Sequence, residues 1–235
     1  TTVAQDEAYN FTPSVADVDA GDSQTFSITN KPSWAGFSAI TGALTGTPTN
    51  DDVGVTAGIV ITTTDSAGAT ASLSAFSVTV SNTNDAPVIT GTPATTVAQD
   101  EEYSFTPSVS DVDAGDTQTF SITNKPSWAA FSATTGALTG IPSNDDVGVT
   151  AGIVITATDS AGATASLTAF SVTVSNTNDA PVITGSPATT VAQDAAYSFT
   201  PSVADVDAGD SQSFSITNKP SWAAFSATTG ALTGT

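Results

Sequence analysis

Residues 57–80 read AGIVITTTDSAGATASLSAFSVTV, and this stretch decides the fold. Ile59 and Ile61 alternate with other residues on one side of Ser66-Ala67-Gly68, as do Phe76, Val78 and Val80 on the other. Apolar residues at every second position, on both flanks of a turn that contains glycine, are the mark of antiparallel strands with one face buried. Strands are therefore expected over 57–64 and 70–80. Outward from there the same alternation predicts strands over 8–15, 24–29, 36–39 and 43–46, and over the stretch that leads into each unit, 88–97 ahead of the second. The segment FSAITGALTG (37–46) reads as a further hairpin turning at Thr41 and Gly42, since glycine accepts the positive φ of a tight turn. No helical period survives. Seven short strands in about 90 residues is the size of a β-sandwich.

The pattern recurs. TTVAQD begins at Thr1, Thr95 and Thr189, which sets a period of 94 residues, and eleven positions differ between the first two units. Most are exchanges of small residues. The expected organisation is all-β: one seven-stranded sandwich over 1–84, a second over 85–178, arranged end to end, and a partial third over 179–235. Residues 182–235 supply copies of the first five strands and omit the last two, those that hold Ile59, Ile61, Phe76, Val78 and Val80 in the first unit. The apolar face left behind is expected to be covered by further chain, or by strands of a neighbouring chain.

Composition narrows function by exclusion. The chain has 235 residues, 23 acidic groups against 3 lysines, a net charge of −20, and no histidine or cysteine. Nucleic-acid binding by counterion release lacks the cations it needs. Nucleophile pairs with histidine, zinc fingers, haem or iron–sulfur ligation and disulfides are excluded by the missing residue types. A glycosidase needs only two carboxylates in a cleft, but near-identical repeats do not build a unique cleft, so no enzyme is expected. No run of about 18 apolar residues exists to span a bilayer, and no membrane contact is expected of this segment.

NKPSWAGFSAITGALTGTPTNDDVGV (30–55), ITTTDSAGATAS (61–72) and FSVTVSNTNDAPV (76–88) together resemble the dystroglycan-type cadherin-like module, a relative of the Ig-like tandem repeats of bacterial extracellular surface proteins. The resemblance runs over the whole unit. It implies cadherin-like sandwiches strung end to end in a secreted or cell-surface protein, with calcium at the junctions. The function it implies is structural: a calcium-stiffened segment of a long adhesin or biofilm-matrix filament, partnered by further repeats or other copies of itself, with a cell-surface or polysaccharide ligand as a further partner. Two alternatives stand beside it, a self-assembling filament subunit completed by a neighbour's strands and a carbohydrate-binding accessory module.

The residues support a cation independently. Seven of the nine acids in the first unit (Asp6, Glu7, Asp17, Asp19, Asp22, Asp65 and Asp85) fall in expected loops or at strand ends, with Lys31 the single cation to offset them. Crowded carboxylates repel one another, and calcium, which takes six to eight oxygen ligands, is their natural counter-charge. By the resemblance, Glu7 (or Asp6), Asp65, Asn84, Asp85, Asp111 and Asp113 converge at the first junction. Glu101 (or Asp100), Asp159, Asn178, Asp179, Asp205 and Asp207 would form the second. Ala67 and Ala161, and Ala86 and Ala180 in the linkers, stand where cadherins tend to have further ligands, so one or two ions per junction are expected. DVDAGD (17–22) opens like an EF-hand, but Gly21 and Ile28 occupy its fifth and twelfth positions and the spacing fails; as turn formers, these acids could also simply cap local amides. Trp34, Trp128 and Trp222, in identical PSW contexts, could stack on sugars, but so few large residues are available that they are expected in the core. Lys31 is expected in a solvated turn.

Overall fold

The computed structural model describes residues 1–19 and 21–235. In the first repeat the strands are β1 (Thr2–Ala4), β2 (Tyr9–Phe11), β3 (Thr25–Thr29), β4 (Gly36–Phe37), β5 (Leu44–Gly46), β6 (Gly54–Thr64), β7 (Thr70–Ser72) and β8 (Phe76–Ser81). One sheet runs β1-β8-β6-β3, with β7 also paired to β6, and the other runs β2-β5-β4. Val3, Tyr9, Ala35, Leu44, Ile59, Val78 and Val80 are buried between them, with Phe11, Ile28, Trp34, Phe37 and Phe76 packed against that core. The alternation seen in the sequence is thus the inward face of β6 and β8.

The second repeat adds β9 (Val88–Thr90), β10 (Thr96–Ala98), β11 (Tyr103–Phe105), β12 (Ser108–Ser110), β13 (Thr119–Thr123), β14 (Ala129–Phe131), β15 (Leu138–Gly140), β16 (Gly148–Thr158), β17 (Thr164–Ser166) and β18 (Phe170–Ser175). The third holds β19 (Val182–Thr184), β20 (Tyr197–Phe199), β21 (Ser202–Ala204), β22 (Ala223–Phe225) and β23 (Leu232–Gly234). Against the expectation of five strand copies, the copies of β10 (190–192) and β13 (213–217) form no strand, because the strands they pair with in the second repeat, β18 and β16, have no copy within 179–235. Sheet order repeats as β10-β18-β16-β13, β11-β15-β14 and β20-β23-β22.

Two compact units emerge, and they do not follow the repeat. Unit 1 is Thr1–Thr90 with Ser108–Thr119 and Thr156–Ser166, and unit 2 is Gly91–Pro107, Phe120–Ile155 and Leu167–Thr235. The copy of DVDAGD at 111–116 and the turn after β16 therefore cluster with the repeat that precedes them.

Four strand expectations are corrected. The stretch 88–97 is two strands, since β9 pairs antiparallel with β12 whereas β10 pairs parallel with β18. Gly91 lies at the break with φ +151°, and a Cβ there would stand 2.8 Å from Phe105 Cζ. The stretch 70–80 divides into β7 and β8, which pair with successive parts of β6. The strand expected over 8–15 ends at Phe11 in the first repeat, while its second-repeat copy divides into β11 and β12 around Thr106-Pro107, because proline cannot donate to a ladder. The strand β6 also begins earlier than expected, with a register shift between Thr56 and Ile59 where Gly58 has φ +69°. Such a bulge lets one strand serve two partners along its length.

Trp34 and Trp128, half-buried, meet Tyr9 and Tyr103 edge to face, at centroid distances of 5.7 and 5.6 Å, whereas Trp222, expected in the core as well, meets Tyr197 at 5.7 Å but is 44% exposed. Lys31 Nζ donates to the carbonyls of Pro32 and Ala35, closing its own turn, and Lys125 and Lys219 do the same. Every cationic side chain in the protein is committed in this way.

Candidate metal centre

The DVDAGD loop organises itself before any partner is involved. In each copy the first aspartate accepts a hydrogen bond from the backbone N–H two residues on, at 3.0 Å for Asp17, 3.1 Å for Asp111 and 3.1 Å for Asp205. Its other oxygen accepts from the amide of Gln24, Gln118 or Gln212. These bonds favour the ionised form, and the Asp19 N–H followed by the Gln24 amide holds Asp17 below the usual carboxylate range.

A second carboxylate arrives from the turn after β6 or β16. The β3–β6 register, Thr25 opposite Thr64, carries Asp65 to the end of the repeat where Asp17 and Asp22 lie. One oxygen of Asp159 accepts the N–H groups of Ala161, Gly162 and Ala163 at 2.9, 2.6 and 2.8 Å. Ser160 Oγ donates to Asp116 at 2.8 Å, as Ser66 does to Asp22. Three groups of aspartates result, each with ligand oxygens within 4.8 Å of one another: Asp17 with Asp22 and Asp65, Asp111 with Asp116 and Asp159, and Asp205 with Asp207 and Asp210.

The linker closes over two of these groups. Asp85 N–H donates to Asp113 Oδ2 at 2.6 Å, and Asn84 Nδ2 to Asp159 Oδ2 at 2.8 Å. The Asn84 amide is the main reason that the Asp159 carboxyl lies below its ordinary range, against the opposing effect of burial. In unit 2, Asp179 N–H donates to Asp207 at the same 2.6 Å, while Asn178 Nδ2 bonds to the carbonyl of Asp179 at 2.9 Å. Asp113 and Asp207 are 5% and 4% exposed. Among the described residues Asp113 Oδ1, Asp116 Oδ2 and Asp207 Oδ1 are buried without a hydrogen-bond partner, as are Gln5 Oε1 and Thr63 Oγ1. A buried carboxylate oxygen left unpaired is costly, and with every lysine engaged elsewhere a cation is a group that could satisfy it. The donor set, carboxylate and amide oxygens alone, fits calcium, which tolerates irregular oxygen cages better than magnesium does.

Several expected placements are corrected. Asp65 joins Asp17 and Asp22 rather than Asp85, and Asp159 joins Asp111, Asp116 and Asn84 rather than Asp205, because each turn returns to the end of its own repeat that carries DVDAGD. Glu7 and Glu101 are exposed, and their backbone N–H groups bond to Ala4 and Ala98. Asp6 and Asp100, at φ +61° and +63°, are exposed as well and bond through their backbone to Pro48 and Pro142. The side chains that reach the linker are instead Gln5 and Gln99, 3% and 2% exposed, whose Nε2 groups donate to Asp85 and Asp179 at 2.8 Å. Asn50 and Asn144 Nδ2 donate to the carbonyls of Val112 and Val206 at 2.7 Å. Neither amide pair was visible in a reading that looked for acids; an amide two residues before Glu7, repeated two residues before Glu101, was the available signal. Asp116 was missed too, although it closes the hexapeptide already singled out.

Paired sheets repeated along the chain and acidic seams covered by a linker define a tandem array of cadherin-like, Ig-like sandwiches. The protein belongs to the family described as "Putative Ig domain", which matches residues 1–81, 86–175 and 180–235. In fold the chain is similar to protocadherin gammaB7 EC3-6 in a cis-dimer structure, at TM-score 0.53 and 17% identity, covering 100% of this chain and 62% of that one. It is also similar to the extracellular domain of protocadherin GammaB4 (TM-score 0.52, 18% identity, 100% and 42% covered) and to mouse cadherin-23 EC22-24 (0.53, 14%, 99% and 83%). It spans less than two thirds of the first two. No protein of curated function matches the chain. Among the described residues no helix is long and apolar enough to cross a membrane.

Proposed function

We propose that this chain is a segment of a long extracellular adhesin or matrix filament, in which calcium bound at the seams stiffens a rod of tandem repeats. The observation that carries the reading is a buried, unpartnered carboxylate oxygen within a group of converging aspartates, Asp116 at the first seam and Asp207 at the second, with Asp113 Oδ1 likewise unpaired, in a protein of net charge −20. Asp111, Asp113, Asp116 and Asp159 would hold the ion at the first seam, with Asn84 and Asp85 fixing the linker above them; Asp205, Asp207 and Asp210 would hold it at the second, below Asn178 and Asp179. The ion supplies counter-charge that no side chain provides. Further repeats or other copies of the same chain are the proposed partners.

Calorimetric titration of the 235-residue chain with calcium, paired with thermal unfolding in calcium and in chelator, tests this. One or two ions per seam and a higher Tm in calcium are expected. Free ion at a hundred times its Kd adds about 2.7 kcal/mol to the folded state. Absence of binding heat together with equal Tm values at millimolar calcium would sink the proposal.

A further inference from the structure

Each seam carries a second set of bonds, donated by neutral amides, that uses none of the unpaired aspartate oxygens; Gln99 Oε1 accepts the Thr177 N–H at 3.3 Å, whereas Gln5 Oε1 is buried without a partner. Gln5 Nε2 donates to Asp85 Oδ2 at 2.8 Å and Asn50 Nδ2 to the Val112 carbonyl at 2.7 Å, all within unit 1. Gln99 to Asp179 and Asn144 to Val206 reproduce both distances within unit 2. The side chains that the preceding repeat extends across the seam are thus neutral amides, in a protein where acids outnumber lysines 23 to 3. An amide donates a hydrogen bond without adding charge. A carboxylate at the same position could not donate, and would add a further negative charge beside Asp85 or against a carbonyl, so that only a cation could close the gap.

We propose that Gln5 with Asn50, and Gln99 with Asn144, form an amide clamp that keeps each seam docked without metal, leaving calcium to tighten the aspartate end alone. The clamp deepens the calcium-seam proposal and rests on it for the role of the ion, while its own bonds stand without one. Burial supports the assignment: Gln5 and Gln99 are among the few buried polar residues. The backbone supports it further, because the positive φ of Asp6 and of Asp100 turns the chain immediately after each glutamine, so that the glutamine is covered and the acids that follow face water.

The test uses the whole chain, which has no cysteine of its own. Spin labels at Ser74→Cys and Thr164→Cys, both exposed and both in unit 1, report the distance across the first seam by pulsed electron resonance. A single peak at one mean distance is expected in chelator, and calcium should narrow it further without moving it. Gln5→Glu with Asn50→Asp should lose that peak in chelator and regain it in calcium, which turns an ion-independent seam into an ion-dependent one. Gln5→Ala with Asn50→Ala should lose it in chelator, with circular dichroism confirming that the sandwiches remain folded. A wild-type peak that broadens in chelator as much as the alanine variant's, or an acid variant that stays narrow there, overturns the clamp. Calcium calorimetry on the labelled wild-type chain is read separately. Missing heat would remove the calcium proposal and leave the distance result to decide the clamp.

Discussion

The middle aspartate of DVDAGD occurs three times in one local sequence and meets two different fates. Asp19 is exposed, whereas Asp113 and Asp207 are 5% and 4% exposed. The third copy separates two causes, because residues 179–235 contain no counterpart of the DSAG turn that supplies Asp159, yet Asp207 is as buried as Asp113. What Asp113 and Asp207 share is the linker N–H, from Asp85 or Asp179, at 2.6 Å. Burial of this aspartate therefore follows the linker and not the neighbouring turn. A repeat supplies the carboxylates, and the linker ahead of it buries the middle one.

The largest expected effect sets Asp113 against Asp19. Asp113→Ala strands the Asp85 N–H and frees the linker, and removal of a buried, charge-assisted partner costs about 1–3 kcal/mol. Asp19→Ala touches an exposed residue and should stay within about 0.5 kcal/mol. Urea unfolding of both variants in calcium measures the difference. Equal losses would break the comparison, since the linker would then contribute nothing that the loop lacks by itself.

A smaller effect sharpens it. Asp159 receives the linker amide of Asn84, while Asp65 is bonded to the amides of its own turn, Ala67 and Ala69, and to no linker residue. Asp159→Asn should weaken calcium binding at the first seam on the order of tenfold, because it removes a charged ligand and the partner that orients Asn84. Asp65→Asn should leave that seam's affinity unchanged. Calorimetry on the two variants decides whether the turn acid serves its own repeat's site, as the geometry has it, or the next one.

That assignment is also where sequence reading reached its limit. The sandwich was legible because Ile59, Ile61, Val78 and Val80 project their burial onto a period of two, which depends on local geometry alone. The hairpin at Thr41-Gly42 was legible for the same reason: Gly42 takes φ +71°. Which repeat end receives Asp65 depends on how far β3 and β6 run before turning, a register set by pairing across some 40 residues of chain, and spacing along the sequence does not encode it. The division of 88–97 into β9 and β10 was likewise hidden, because the two halves look alike in composition and differ only in the sheet that each joins. Gln5 and Asn50 escaped notice since a search for a cation's ligands attends to charge, while a polyanionic seam also needs donors that carry none.

The smallest effect concerns the turn that holds Asn144. A short 3₁₀ turn at Asn144–Asp146 precedes β16, and Asp146 caps it by accepting the Ser143 N–H at 2.9 Å and the Ser143 hydroxyl at 2.8 Å. The first-repeat copy, Asn50–Asp52, is capped through Thr49. The Ser143 backbone N–H, its hydroxyl and that of Ser127 hold the Asp146 carboxyl below its ordinary value. A native value below the unfolded one, which is about 3.9, means that the cap contributes fully above the unfolded value and is lost as pH falls through the native one. Asp146→Asn should therefore lower Tm slightly at pH 7, with a gap from wild type that is constant down to about pH 5 and closes below about pH 4. Thermal unfolding across that range measures it, and a gap that persists at the acid end would show that the charge of Asp146 is not what caps the turn. Because Asn144 sits inside this turn and bonds to Val206, acid that loosens the cap should also loosen the second seam at its amide end.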